Sequence, residues 1–243
     1  MSRKAGILLP IFSLPSEYGI GTLGRAAYRW VDFLNDAHQK VWQVLPVGPT
    51  SYGDSPYQSF SAFAGNPYFI DLELLCDQKL LTKDECAAIQ WEYTSKKIEY
   101  KILYDNRFSL LRKAYQRYPM KQSLNEFIKE NAWAHDYALF MAIKDSQMGK
   151  SWQEWPELLR NRNFEALAKA DRDYHDDILF YVFLQKMFFE QWENLKQYAN
   201  AKDVQIVGDI PIYVALDSAD VWAHQEYFNL DTDGHQLRWQ DAS

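Results

Sequence analysis

Residues 48–72, GPTSYGDSPYQSFSAFAGNPYFIDL, hold the side chains best suited to bind a neutral ligand. The segment is rich in tyrosine, phenylalanine and serine, and it shows no strong periodicity. Flat aromatic faces and short polar groups are the usual contacts of sugars, which carry no charge. In an α/β barrel, long loops at the C-terminal ends of strands build the active site. A well-packed surface loop explains the same composition equally well, so both interpretations stay open.

Asp209 is the second candidate, because it interrupts the apolar run 204–213 (VQIVGDIPIY). A carboxylate in such a run must be paired, hydrogen-bonded or functional, since burying it alone costs several kcal/mol. A buried structural aspartate therefore remains the alternative to a ligand-binding one.

Two patterns suggest other enzymes, and each lacks a necessary part. Gly19, Gly21 and Gly24 form G-x-G-x-x-G, but five residues separate the motif from the preceding apolar run, and no acidic residue follows the next one. A glycine-rich start of a helix is the better interpretation. A nucleophile elbow requires G-x-S-x-G, whereas GDSPY ends in Tyr57. Nucleotide binding and serine hydrolysis are therefore not predicted.

Metal and disulfide chemistry are not predicted either. The sequence DTDG at 231–234 is a fragment of a calcium loop without its later acidic positions, and a hairpin turn explains it. His224 and His235 flank it without a third ligand. Cys76 and Cys86 have no histidine at metal spacing, so neither a zinc site nor a disulfide framework is expected. We expect no metal and no cofactor.

The charge balance and the apolar runs restrict the partners. The chain has 26 Lys plus Arg against 33 Asp plus Glu, a net charge of -7, so the clustered cations that bind nucleic acid are not expected. No apolar stretch approaches the ~18 residues of a membrane span. The apolar start of the chain is interrupted by Pro10 and Ser13 and has no signal-peptide cleavage pattern, so we expect a cytoplasmic protein.

The apolar patterning predicts an α/β fold. Near-continuous apolar runs at 5–12, 41–47 and 204–213 are typical of parallel strands covered on both faces. Helical spacing over 24–38 predicts a strand–helix–strand crossover between the first two. Helical patterns between 72 and 200 predict a mostly helical insertion, with helices at 104–118, 123–146 and 175–198, and a loop at 149–162.

Four segments carry a resemblance that favours a functional role for the 48–72 loop and for Asp209. They are ILLPIFSLPSEYGIGTLG, KVWQVLPVGPTSYGDSPYQSFSAFAGNPYFIDL, SWQEWPELLRNR and VGDIPIYVALDSADVWAHQEYFNLD. In order and spacing they resemble the amylomaltase (4-alpha-glucanotransferase, or disproportionating enzyme) family, over residues 6–239. The resemblance implies the first three strands of an α-amylase-type (β/α)8 barrel, with a large helical insertion between strands two and three. It also implies transfer of α-1,4-glucan segments between maltooligosaccharides. The domain boundaries that we predict are 1–72, 73–175 and 176–243.

The same resemblance implies the roles of several residues. Tyr57 matches the tyrosine that lies against the sugar at the cleavage point, and Asp54 and Ser55 shape the same loop. Asp209 matches the acidic residue that contacts the same sugar at the end of strand three. Two further tyrosines match a secondary glucan-binding site away from the cleft; these are Tyr52 and Tyr104.

The family's nucleophilic aspartate, acid/base glutamate and stabilising aspartate belong to motifs like RIDHFRG, EDLG and THDN, and none of these occurs in the chain. We therefore expect these residues beyond Ser243, an inactive isolated chain, and the remaining half of the barrel as its partner. A non-catalytic glucan-binding module, an assembly protein with an aromatic face and an α-amylase-type hydrolase remain alternatives.

Overall fold

The computed structural model describes residues 3–51, 54–91 and 97–237. Within these ranges, three short parallel strands form a sheet in the order β1-β2-β3. The strands are β1 (Gly6–Leu8), β2 (Val41–Gln43) and β3 (Gln205–Val207). Ile7, Trp42 and Ile206 lie side by side across the sheet. The α/β class and the positions of all three strands agree with the sequence-based prediction.

The contact between β1 and β2 depends on Gly6 and Trp42. A Cβ atom on Gly6 would lie 2.5 Å from the Cβ of Val41, so a larger residue would push the strands apart. The Trp42 side chain is fully buried, and its Nε1 donates a hydrogen bond to the carbonyl oxygen of Leu9 at 2.8 Å. These contacts fix the ends of the two strands.

The prediction that the strands are covered on both faces is wrong for β1 and β3. Leu8 in β1 is 52% exposed, and Val207 in β3 is 43% exposed. Among the described strands, β1 and β3 each pair with β2, so the outer edge of each has no strand beside it. The apolar run after β3 is also not strand, since β3 ends at Val207 and Ile210 is exposed.

The helices lie close to the positions that the apolar spacing predicts. They are α1 (Arg25–Asp36), α2 (Leu72–Asp77), α3 (Lys83–Ala87), α4 (Tyr100–Arg117), α5 (Gln122–Glu130), α6 (Ala132–Ser146), α7 (Glu157–Arg160), α8 (Phe164–Asp173), α9 (His175–Ala201) and α10 (Ala219–Ala223). Within the described ranges, none of them combines the length and the apolar character needed to cross a bilayer.

Two local predictions are wrong. The single helix expected over 123–146 is divided into α5 and α6 at Asn131, whose φ of -129° and ψ of 86° are not helical. The Asn131 side chain donates a hydrogen bond to the carbonyl oxygen of Phe127 at 3.0 Å, which closes the end of α5. The loop expected over 149–162 contains a one-turn 3-10 helix, Trp152–Glu154, and α7, which begins directly after Pro156.

The chain divides into two compact units, and the division falls within α9. The first unit comprises Met1–Val47, Gly65–Lys121 and Leu184–Ile210, and it contains the sheet. The second comprises Gly48–Ala64, Gln122–Phe183 and Pro211–Ser243. The core of the second unit is aromatic: the Trp222 ring lies 5.8 Å from the Phe140 ring and 5.6 Å from the Trp155 ring. Many of the chain's aromatic side chains therefore fill cores.

Candidate functional site

The loop at 48–64, in the second unit, is closed by pairing between its two arms. Thr50 and Ser59 form an antiparallel bridge, and the N–H of Ser51 donates to the carbonyl oxygen of Gln58 at 3.0 Å. Gly48 packs tightly at the base, because a Cβ there would lie 2.8 Å from Ser59 Oγ. These contacts hold the tip of the loop, which carries three of the predicted site residues.

The tip contains Asp54, Ser55 and Tyr57. Asp54 has a φ of 54°, a left-handed conformation that aspartate tolerates better than most residues, and its N–H donates to the carbonyl oxygen of Ser51 at 3.2 Å. Ser55 Oγ accepts a hydrogen bond from the N–H of Tyr57 at 3.3 Å, and the Ser55 carbonyl accepts one from the N–H of Gln58 at 3.1 Å. These hydrogen bonds order the tip, and the roles predicted for Asp54 and Ser55 in a glucan site stay predictions.

The Tyr57 side chain is 46% exposed at this hydrogen-bonded tip. An aromatic ring on an ordered turn can present its face to the apolar face of a pyranose with little loss of conformational entropy. Burial raises the pKa of the neighbouring Asp54 carboxyl above its usual value. The tip therefore combines a partly exposed aromatic ring with a partly desolvated carboxyl group.

The base of the loop is attached to α10 through Asp220. Its carboxylate accepts a hydrogen bond from the N–H of Ala62 at 2.6 Å and one from Ser61 Oγ at 3.3 Å. The N–H of Ala219 donates to the carbonyl oxygen of Phe60 at 2.8 Å. Burial is the main cause that raises the Asp220 pKa, while these hydrogen bonds and the nearby His224 act in the opposite direction. Sequence reasoning did not identify Asp220, and no local motif marks it.

Asp209 lies in the first unit, two positions beyond the end of β3, and its side chain is partly exposed. The preceding Gly208 has open space around it, since a Cβ there would meet no atom within 4 Å. The N–H of Val44 donates to the carbonyl oxygen of Val207 at 3.0 Å, so the segments after β2 and β3 leave the same edge of the sheet. Asp209 is therefore not fully buried in this structure, and its structural and ligand-binding interpretations both stay predictions.

The structure describes one of the two tyrosines of the predicted secondary glucan site. Tyr104 lies on α4 in the first unit and is 71% exposed. Tyr52 lies outside the described residues. The predicted secondary site therefore stays a prediction.

The glycines that resemble a dinucleotide motif have a packing role. A Cβ on Gly24, at the start of α1, would lie 1.9 Å from a carboxylate oxygen of Asp71, and one on Gly21 would lie 2.0 Å from the carbonyl oxygen of Ile11. Asp71 also accepts a hydrogen bond from Thr22 Oγ1 at 2.6 Å and caps α2. The start of α1 therefore faces a carboxylate of its own chain, where a dinucleotide fold would place a phosphate.

The DTDG segment forms the predicted turn. Leu230 and Gln236 form an antiparallel bridge, and Gly234 has a φ of 81°. One carboxylate oxygen of Asp231 accepts hydrogen bonds from the N–H groups of Asp233 and His235 at 2.9 and 2.8 Å. This carboxylate oxygen therefore accepts hydrogen bonds from the backbone of its own hairpin.

Comparison with known proteins identifies the family. A sequence model described as 4-alpha-glucanotransferase matches residues 9–234. The chain belongs to the 4-alpha-glucanotransferase family. The 4-alpha-glucanotransferase of Clostridium butyricum is 48% identical over 91% of this chain, and that of Thermus thermophilus is 44% identical over 96%. The chain spans about half the length of these relatives, 46% and 47% respectively.

The fold agrees with this assignment. The structure of an amylomaltase from Streptococcus agalactiae in complex with acarbose superimposes with a TM-score of 0.93 at 42% identity, over 96% of this chain and 48% of that one. The α/β fold with its small parallel sheet is therefore the fold of that part of a 4-alpha-glucanotransferase.

Proposed function

We propose that the whole protein transfers α-1,4-glucan segments from a donor maltooligosaccharide to an acceptor sugar, and that it does so in the cytoplasm. The observation that carries this proposal is the family match over residues 9–234. The acarbose complex of the similar amylomaltase supports a glucan-like ligand.

The chemistry of the proposed reaction is a retaining double displacement. One carboxylate attacks the anomeric carbon while a carboxylic acid protonates the leaving oxygen, with the two groups about 5–5.5 Å apart. A sugar hydroxyl, in place of water, then attacks the covalent intermediate. We place this pair of residues beyond Ser243, because the sequence lacks the three motifs that carry the family's carboxylates. The 243-residue chain is accordingly proposed to be inactive alone.

Within this chain, we propose that Tyr57 stacks against the sugar at the cleavage point and that Asp209 accepts hydrogen bonds from hydroxyls of the same sugar. The exposed ring of Tyr57 at an ordered tip supports the first role. The position of Asp209, two residues after the end of a parallel strand, supports the second, since ligands of α/β folds bind at carboxyl ends of strands. Asp54 and Ser55 hold the tip. Tyr104, with Tyr52, is the proposed secondary glucan site.

We also propose that β1, β2 and β3 begin a (β/α)8 barrel with a helical insertion before β3, and that the remaining strands cover the exposed Leu8 and Val207. The open edges of β1 and β3 support this, because an unpaired strand edge requires a partner or protection. The predicted domain boundaries at 72 and 175 remain part of this proposal.

Intact mass followed by a maltotriose assay on the same sample tests the function. The 28.6 kDa chain should release no glucose, whereas the whole protein should convert maltotriose into glucose and a ladder of longer sugars. Transfer leaves the total number of reducing ends unchanged, and hydrolysis increases it. An increase would favour the α-amylase-type alternative, and activity at 28.6 kDa would refute the placement of the catalytic pair.

A further inference from the structure

The two cysteines of the chain contact each other. Cys76 lies near the end of α2 and Cys86 lies in α3, and their Sγ atoms are 3.9 Å apart with both thiols free. They are the two cysteines of the 243-residue sequence, and they lie ten positions apart in consecutive helices. We propose that Cys76 and Cys86 form a reversible intramolecular disulfide when the protein meets a peroxide.

The connection between the two helices holds the thiols in position. Lys79 has a φ of 61°, and the N–H of Leu80 donates to the carbonyl oxygen of Leu75 at 2.9 Å, which closes α2. Thr82 and Glu85 form a reciprocal capping box at the start of α3. A disulfide needs sulfur atoms about 2.05 Å apart, so side-chain rotation and a small backbone shift would complete the bond.

The difference in exposure of the two thiols sets the order of the steps. Cys76 is partly exposed and Cys86 is fully buried, so peroxide reaches Cys76 first. In its thiolate form, Cys76 attacks one oxygen of hydrogen peroxide, the O–O bond breaks, and the leaving hydroxide takes up the proton that the thiol released, so the products are a sulfenic acid on Cys76 and one water. The Cys86 thiol then displaces the hydroxyl as a second water, and the sulfur–sulfur bond forms. Two thiols and one peroxide yield one disulfide and two waters.

The disulfide would form beside a network of buried hydrogen-bonded and aromatic side chains in the first unit. Trp91 Nε1 donates to the carbonyl oxygen of Cys86 at 2.8 Å, and the Trp91 ring lies edge-on to Tyr18 with ring centres 6.1 Å apart. The buried guanidinium of Arg107 lies 5.9 Å from the Trp91 ring. Burial raises the pKa of both thiols, that of Cys86 to about 12. Because the thiolate is the reactive form, both thiols react slowly, and we expect the bond to form at high rather than low peroxide concentration.

Tryptic mapping provides a direct test, because Lys79 and Lys83 lie between the two cysteines. After the folded protein has been treated with hydrogen peroxide and then alkylated, it should carry no alkyl group on either cysteine. Its intact mass should be two hydrogen atoms below that of the untreated, unalkylated chain. The tryptic peptides 41–79 and 84–96 should be found joined, and a reducing agent should separate them. Two alkylated thiols after treatment, or a disulfide-linked dimer, would overturn the proposal.

Two variants test the order of the steps. In Cys86→Ser, the sulfenic acid on Cys76 has no resolving thiol, so labelling by dimedone should increase several-fold over that of the natural chain. In Cys76→Ser, the buried Cys86 should remain an unmodified thiol under the same treatment. Equal dimedone labelling of Cys86→Ser and the natural chain would contradict the mechanism. Because the mapping of the natural chain needs no substitution, a folding defect in a variant leaves the main test intact.

Discussion

The carboxylate of Asp220 accepts a hydrogen bond from the backbone N–H of Ala62 at 2.6 Å, although 158 positions separate the two residues in the chain. Ser61 Oγ, which donates to the same carboxylate, also accepts a hydrogen bond from the N–H of Phe63 at 3.1 Å. One acidic side chain therefore attaches the loop that carries Tyr57 to the start of α10, in addition to the backbone hydrogen bond between Ala219 and Phe60.

Asp220→Ala should release this attachment. The substitution leaves the N–H of Ala62 without its acceptor, and losing hydrogen bonds to a charged group costs about 1–3 kcal/mol. Hydrogen exchange of the Ala62 amide should accelerate by roughly 5- to 150-fold, as measured by NMR or mass spectrometry.

Asp220→Asn is the matched control for this change. Its remaining side-chain oxygen can still accept one hydrogen bond, so exchange at Ala62 should lie between that of the natural chain and that of Asp220→Ala. Unchanged exchange in Asp220→Ala would mean that other contacts hold the loop.

Gly24→Ala should destabilise the start of α1. The new Cβ would lie 1.9 Å from a carboxylate oxygen of Asp71, which Thr22 Oγ1 and the cap of α2 hold in place. Such overpacking costs about 1–3 kcal/mol of unfolding free energy, measurable by urea denaturation. Gly208→Ala is the control, since its Cβ would meet no atom within 4 Å. Equal stability of the two variants would contradict the packing role of Gly24.

The apolar patterns predicted the positions of the strands and of α1, because the spacing of apolar residues reflects the period of the element that contains them. The runs around Trp42 and Ile206 are strands, and the helical spacing of Val31 and Leu34 corresponds to α1. The break at Asn131 was not predicted: its backbone is not helical, and its side chain donates to the carbonyl oxygen of Phe127 in the preceding turn. Periodicity carries no information of this kind.

The contacts that support the candidate site could not be predicted from the sequence. Asp220 lies 158 positions from Ala62 and 159 positions from Ser61. No spacing rule connects residues at such separations, because tertiary packing brings them together. The resemblance indicated Tyr57 and Asp209 from motifs, but the residues that hold the loop became evident only in the structure.

Glu85→Gln should remove a source of stability that depends on pH. Arg117 contacts the Glu85 carboxylate with both guanidinium nitrogens, at 2.7 and 2.8 Å, and this is the main cause that lowers the Glu85 pKa from 4.5 to about 2. A carboxyl group whose pKa is lower in the folded state contributes stability above its unfolded pKa and loses it in acid. The stability difference between the natural chain and the variant should therefore be constant above pH 4.5 and disappear towards pH 2.

The glutamine can still occupy the capping box with Thr82, so the comparison isolates the charge. Urea denaturation at several pH values between about 2 and 7 measures the difference in unfolding free energy between the natural chain and Glu85→Gln. Glu126→Gln, at an exposed position on α5, serves as the control. A difference between Glu85→Gln and the natural chain that does not change with pH would contradict the assignment to the ion pair.

Tyr57→Ala should weaken binding of a maltooligosaccharide, measured by titration calorimetry. Loss of one aromatic stacking contact costs about 1 kcal/mol, so the dissociation constant should rise about fivefold. Tyr227→Ala is the matched control, because Tyr227 is 77% exposed and belongs to none of the proposed glucan sites. Tyr57→Phe should retain most of the affinity, since the ring supplies the stacking surface. If Tyr57→Ala binds as tightly as the natural chain, or if both alanine variants lose affinity equally, the sugar-stacking role of Tyr57 is refuted.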